Sequence, residues 1–135
     1  MNKIRVDIAI VGGGLAGLAL AVALRQSRLS VALIEGRTPQ RPAGWDARVY
    51  AVSASNVNFL NEIGVWPHMD ATRRCPVEAM DVQGDRDGRI QFSAYDAGAQ
   101  ELACIVEASA MQCELWESAK RQANLQLLCP ARPDA

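Results

Sequence analysis

One histidine, two tyrosines, two phenylalanines and three tryptophans are all the ring side chains in this chain of 135 residues. His68 stands alone in "WPHM", so a His-based triad around Ser53 or Ser55 has nothing to build on. Those two serines read as helix-start caps instead. Trp45, Trp66 and Trp116 read as core or domain-contact residues, not as a stacking platform. The four cysteines (Cys75, Cys104, Cys113, Cys129) form no C-x-x-C pair and lack a histidine-rich companion. That spacing disfavours a disulfide framework or a metal site and points to buried free thiols in a reducing compartment. Asp85 and Asp87 flank a turn and carry no metal-site spacing, so no metal is expected.

An excess of one charge is also lacking. Fourteen basic and fifteen acidic side chains leave a formal net charge of −1. Such a balance gives no general pull toward nucleic acid or anionic lipid. No uninterrupted run approaches the roughly 18 to 20 apolar residues of a membrane span. Lys3 and Arg5 precede an apolar run in the manner of a signal peptide. Gly12, Gly13 and Gly14 break that run, however, and no small-residue cleavage site follows. The expectation is a cytoplasmic chain of one-domain size.

What the chain does have is order in its hydrophobic pattern. Ile4 to Val11 is apolar and β-branched almost throughout, as a buried parallel strand is. Leu15 to Ser27 holds helix formers without proline, and Ser30 to Ile34 is a second short apolar strand. Strand, helix and strand make a βαβ unit with a right-handed crossover. "TPQRPAGW" (Thr38 to Trp45) is a loop. Ser53 to Ile63 is predicted helical, with Val57, Leu60 and Ile63 on one face and Gly64 as its stop. "MDVQGDRDGRIQFSA" (Met80 to Ala94) alternates about an Asp-Gly in the pattern of an antiparallel hairpin. Leu102 to Val106 reads as a strand, Ser109 to Asn124 as a helix and Leu125 to Leu128 as a strand. The fold class expected is α/β: a Rossmann-like βαβ unit with an inserted antiparallel β segment. The divisions are 1–75, 76–107 and 108–135.

The segment "DIAIVGGGLAGLALAVAL" concentrates the chemistry. Gly12, Gly14 and Gly17 give G-x-G-x-x-G straight after a strand and at the opening of a helix. Gly12 can make the tight turn, Gly14 lets backbone N–H groups approach a pyrophosphate, and Gly17 lets the helix lie close on the sheet. The helix N-terminus at Leu15 and Ala16 offers free N–H donors and a positive dipole end to phosphate. Glu35, ending the second strand, is placed to bind ribose hydroxyls. The ligand expected is a dinucleotide without a 2′-phosphate.

"VDIAIVGGGLAGLALAVALRQSRLSVALIE" resembles the N-terminus of the FAD-dependent aromatic hydroxylases. "WDARVYAVSASNVNFLNEIGVW" is similar to the D-x-R-x-x-A-L-S segment and following helix of the ubiquinone-biosynthesis flavin hydroxylases, and "CIVEASAMQCELWESA" to a later helix of theirs. One departure is Arg28, where that family usually has a helix-ending glycine. Arg28 must take an uncomfortable backbone conformation or the helix must end differently. The resemblance implies that Arg48 contacts FAD near its phosphates or ribityl chain and that Gln112 hydrogen-bonds a cofactor ribose or phosphate. From the residues alone, Arg48 also reads as a surface arginine paired with Asp46, and Gln112 as part of an S-x-x-Q capping box with Ser109.

The resemblance further implies an NADH- or NADPH-dependent monooxygenase that uses O2 to hydroxylate an aromatic ring, with a polyprenylated phenol as substrate class. It also implies access from a membrane surface, at the inner face, without a spanning helix. Family members run to roughly three times this length, and their later segments, which carry an A-D-G and a G-D motif, are not matched here. The fold is therefore expected to be incomplete, the chain alone inactive, and no catalytic residue is assigned. The unfinished sheet is expected to self-associate or to take a C-terminal partner fragment. Two other classes stay open: an NAD-dependent dehydrogenase, and a non-catalytic dinucleotide-binding or interaction module.

Overall fold

The computed structural model describes residues 3–133. A short strand, β1 (Ile8–Val11), runs into helix α1 (Leu15–Ala23), and the chain returns as β2 (Val31–Ile34). These two strands pair in parallel, Ile8 opposite Val31. The last strand, β8 (Leu125–Leu128), joins the other side of β2, also in parallel. The sheet order β1-β2-β8 explains the hydrophobic pattern. Central β2 buries Val31, Ala32 and Leu33, whereas β1 at the edge buries only Ile10 and leaves Val11 64% exposed. A strand covered on both faces must be apolar throughout, and β2 is the one so covered.

Strand β1 begins at Ile8 rather than Ile4, because nothing pairs with the backbone of residues 3–6. Helix α1 passes at Ala23 into a 3-10 turn over Leu24–Gln26, and Ser27 leaves it in extended conformation. The Ser27 N–H and hydroxyl both donate to the Leu24 carbonyl, at 3.0 and 2.7 Å. Arg28 therefore needs no left-handed conformation; among the described residues Asp87 is the sole non-glycine with positive φ. The helix ends differently, as one of the two options for Arg28 required.

A second sheet holds β3 (Val49–Ser53), β4 (Cys75–Val77) and β7 (Ala103–Glu107), antiparallel in the order β3-β7-β4. Strands β3 and β4 escaped the sequence reading: "VYAVS" runs without a break into helix α2 (Ala54–Glu62), and β4 is three residues long. Ser53 caps α2, its hydroxyl accepting the Asn56 N–H, and Gly64 ends the helix region at φ +74°. Helix α3 covers Ala108–Lys120, one turn shorter than its pattern suggests, because residues 121–124 turn to feed β8.

Helices α1 and α3 pack side by side, and their C-terminal ends with the turns that follow are tied at three points. Arg25 bonds to Ser118, the Gln122 amide donates to the Ala21 carbonyl at 2.8 Å, and the Asn124 amide donates to Leu24 at 3.0 Å. One continuous core joins both sheets through Leu18, Leu33, Val106, Leu115 and Trp116. Each such side chain contributes about 1.5–3 kcal/mol on burial. The hairpin β5 (Ala79–Gln83) and β6 (Arg89–Ser93) stands apart as two strands, exposed on nearly every residue. Its loop spans Gly84 to Gly88, longer than a two-residue Asp-Gly turn, and Asp87 takes the left-handed position at φ +53°.

Trp66 and Trp116 are buried, but Trp45 is 73% exposed. The Arg73 guanidinium lies 4.0 Å from its ring centroid, so Trp45 is a surface cation–π partner and not a core residue. The four cysteines are free, yet only Cys104 is buried; Cys75 is exposed and the other two are half-buried. Cys75 lies on β4, whose outer edge has no strand beside it among the described residues.

Candidate dinucleotide site

The G-x-G-x-x-G segment forms the turn from β1 into α1, and each glycine there has its own physical reason. Gly12 takes φ +106°, a conformation that costs any other residue strain. Gly17 faces the turn: a Cβ built there would sit 2.1 Å from the Gly12 carbonyl oxygen, so the helix lies against the loop backbone. Gly14 differs. Its φ of −73° suits any residue, and a Cβ added there meets nothing within 4 Å. Nothing inside the protein asks for glycine at that position, while a closely approaching ligand does.

The donors are in place. Gly14 is the N-cap of α1 and supplies no side-chain cap. The first helical donor with a partner is the Leu18 N–H, on the Gly14 carbonyl at 3.0 Å. Among the described residues no acceptor takes the N–H groups of Gly14, Leu15, Ala16 or Gly17. A helix terminus with unsatisfied donors and a positive dipole end suits a pyrophosphate.

Glu35, just past β2, reaches back under this loop. Its Oε2 accepts the Gly13 N–H at 2.6 Å and its Oε1 accepts the Arg37 N–H at 2.9 Å. The Arg37 and Gly13 amides hold its carboxyl below the ordinary 4.5, so it is ionised at neutral pH. Gly13 is not part of the fingerprint, yet a Cβ there would stand 2.9 Å from Glu35 Cγ. The middle glycine of the run is set by the Glu35 side chain, which a spacing argument had no means to see.

Gln112 and Arg48 come to the site by way of α3. The Gln112 amide donates to the Gly13 carbonyl at 2.7 Å. It forms no capping box with Ser109: the N-cap is Glu107, and the Ser109 N–H goes to Asp46 Oδ2 at 3.0 Å. Arg48 lies one residue before β3, its carbonyl accepting the Ala108 N–H at 2.9 Å. Its side chain is 77% exposed, with Nε 3.7 Å from Asp46 Oδ1. The pair with Asp46 exists, but it is loose and leaves the guanidinium free to turn to a ligand. The first turn of α3 thus touches the Arg48 backbone and, at Gln112, the glycine loop.

Around that turn lies a second layer. Glu107 is 4% exposed and accepts the Asp46 N–H at 2.5 Å, with Arg73 pairing on both of its oxygens. Arg73 first, then the Asp46 amide, hold the Glu107 carboxyl below its ordinary value. Asp46 is lowered as well, by the N–H groups of Arg48 and Ser109. Sequence reasoning missed this second layer, since its members lie on separate elements. Among the described residues no group of three acidic, cysteine or histidine side chains is placed to hold a metal ion. No helix among them is long and apolar enough to cross a membrane.

A parallel β1-β2-β8 sheet with a glycine turn and free donors at α1 defines a dinucleotide-binding unit of Rossmann-like type. Residues 10–48 match the family described as NAD(P)-binding Rossmann-like domain. The chain is similar in sequence to curated ubiquinone-biosynthesis enzymes. It is 36% identical to the Drosophila melanogaster ubiquinone biosynthesis monooxygenase COQ6, over 93% of this chain and 28% of that protein. It is 32% identical to Escherichia coli 3-demethoxyubiquinol 3-hydroxylase, over 92% of this chain and 32% of that one. The chain therefore spans less than a third of either relative.

Solved structures share the fold. A variant of Pseudomonas aeruginosa PqsL matches with a TM-score of 0.73 at 18% identity, over 96% of this chain and 35% of that one. The monooxygenase PieE, solved with FAD and substrate, matches at 0.66 and 17% identity, over 95% and 24%.

Proposed function

We propose that the chain is the FAD-binding N-terminal part of an NAD(P)H-dependent monooxygenase that hydroxylates an aromatic ring, with a polyprenylated phenol as substrate class. The observation that carries this reading is Gly14: an open Cβ position beside four unpartnered N–H groups, in a chain whose relatives are ubiquinone-biosynthesis hydroxylases. The residues fit an ADP moiety. Gly12, Gly14, Leu15, Ala16 and Gly17 supply backbone and space, Glu35 is the ionised acceptor for ribose hydroxyls, and exposed Arg48 is the cation for phosphate. The flavin, when bound, supplies the redox and oxygen chemistry, with NADH or NADPH as transient reductant; the protein's part is binding, orientation and exclusion of water.

Two partners follow from this reading. The substrate's prenyl tail calls for a membrane surface, so we place the protein in the cytoplasm, peripheral to the inner face. Among the described residues no strand pairs with the outer edge of β1, beside exposed Val11, which favours self-association or a partner segment there.

The test is the visible spectrum of the purified chain after FAD is added and the excess removed. Retained flavin bands, lost on Gly14→Leu, support the reading. The family match to NAD(P)-binding domains favours a second occupant, a nicotinamide dinucleotide held as in a dehydrogenase. Calorimetric binding of NAD with no flavin retained would move the assignment there.

A further inference from the structure

Gly13 sits buried between two side chains that come from opposite directions. Its N–H donates to Glu35 at the end of β2, at 2.6 Å, and its carbonyl accepts from the Gln112 amide on α3, at 2.7 Å. The two peptide groups on either side of one Cα are thus both held, one by an acceptor and one by a donor. With both fixed, Gly13 has no rotational freedom left, and glycine would otherwise have the most of any residue. The next residue, Gly14, is exposed and begins the row of unpartnered N–H groups. The direction of those donors depends on the orientation of the Gly13–Gly14 peptide, whose carbonyl Gln112 grips.

We propose that Gln112 is a positioning residue of the dinucleotide loop: with Glu35 it clamps Gly13, so that the Gly14 amide and the start of α1 are aimed before any ligand arrives. The inference rests on the dinucleotide reading above and differs from it in sending Gln112 to the protein backbone instead of to the cofactor. The residue type fits the task. A carbonyl needs a donor, and a neutral amide supplies one without adding charge beside phosphate. Preorganised donors bind more tightly because the ordering cost has been met in the free protein.

The experiment uses the whole isotope-labelled chain and reads three quantities: the Gly13 carbonyl carbon shift, the FAD dissociation constant by flavin fluorescence, and the unfolding midpoint without FAD. Gln112→Met keeps the length of the side chain and removes the donor; Gln112→Glu keeps polarity and opposes the carbonyl. Both variants should move the Gly13 carbonyl signal upfield in the ligand-free chain and lower the unfolding midpoint by only a few degrees, as the loss of one hydrogen bond does. Both should weaken FAD about fivefold, the equivalent of one hydrogen bond of about 1 kcal/mol. In the unsubstituted chain, saturating FAD should leave the Gly13 carbonyl signal at its hydrogen-bonded position.

Movement of that signal upfield on FAD titration, to the place it takes in Gln112→Met, would show that Gln112 lets go to grip the cofactor and overturns the proposal. An unchanged signal in both variants overturns it as well. Failure of the unsubstituted chain to take up FAD is a separate result. It sinks the flavin reading, while the ligand-free carbonyl shift still decides whether Gln112 holds the loop.

Discussion

Asp46 and Glu107 meet at the start of α3 across 61 residues of sequence. The Glu107 carboxylate takes the Asp46 N–H, and the Asp46 carboxylate takes the N–H of Ser109 in the first turn of the helix whose N-cap residue is Glu107. In an ordinary capping box both carboxyl and hydroxyl partners come from one short helix segment. Here the pair joins the loop before β3 to the strand–helix junction of β7 and α3. It therefore sets where Arg48 starts.

These linked carboxylates predict a pH dependence. Both carboxyls are held below their ordinary values of 4.5 and 3.8, so they stabilise the fold when ionised. The sign follows from linkage: their contribution is complete above the ordinary values and is lost as pH falls through the lowered folded ones. Unfolding midpoints should drop steeply below about pH 4. Glu107→Gln should lie lower than the unsubstituted chain at pH 7, with the two curves converging toward pH 3. Parallel curves would rule out these carboxylates as the source.

Gly14 and Gly17 should separate binding from folding. Gly17→Ala forces a Cβ to 2.1 Å from the Gly12 carbonyl and should cost about 1–3 kcal/mol of stability, read by urea unfolding. Gly14→Ala meets open space and should change stability by under about 0.5 kcal/mol. Flavin retention should nonetheless fall with Gly14→Leu. Loss of stability with Gly14→Ala would mean that the glycine serves the fold and not a ligand.

The tryptophans predict a fluorescence result. Trp45 is 73% exposed, whereas Trp66 and Trp116 are 9% and 6% exposed. Iodide should quench one component of the emission, and Trp45→Phe should remove it. Trp116→Ala should cost about 3–5 kcal/mol through the cavity it leaves, whereas Trp45→Ala should cost about 1 kcal/mol or less. Equal quenching of the emission in the Trp45→Phe protein would contradict the assignment.

The open side of β1 predicts association in solution. Light scattering should show a mass rising with protein concentration, and Ala9→Lys on the exposed face of β1 should reduce it. A single monomeric species across the range would remove the free edge as a contact.

Much of the parallel sheet was legible in the sequence, because β2 is a continuous apolar run, β8 is apolar save for Gln126, and the glycine turn has a fixed register. The hairpin was legible from its alternation. Strands β3 and β4 were not, since a strand of three to five residues that runs into a helix or beside a proline leaves too short a period to read. In the site, the fingerprint glycines and Glu35 were readable as backbone and charge requirements. The work of Gly13, Asp46 and Glu107 was not, because each depends on a partner 22 to 63 residues away that only the folded chain brings near.

The clamp on Gly13 also sets an order of events in folding. Glu35 lies 22 residues from Gly13, and Gln112 lies 99 residues away. The first tie closes with the β1–α1–β2 unit, and the second waits for α3, just ahead of the β8 strand that completes the sheet. Contacts of such long sequence separation carry the larger closure entropy and form late. During synthesis, then, the glycine fingerprint stays slack until the 99 residues that separate Gly13 from Gln112 have followed it. A nascent chain carries the motif long before it carries a site.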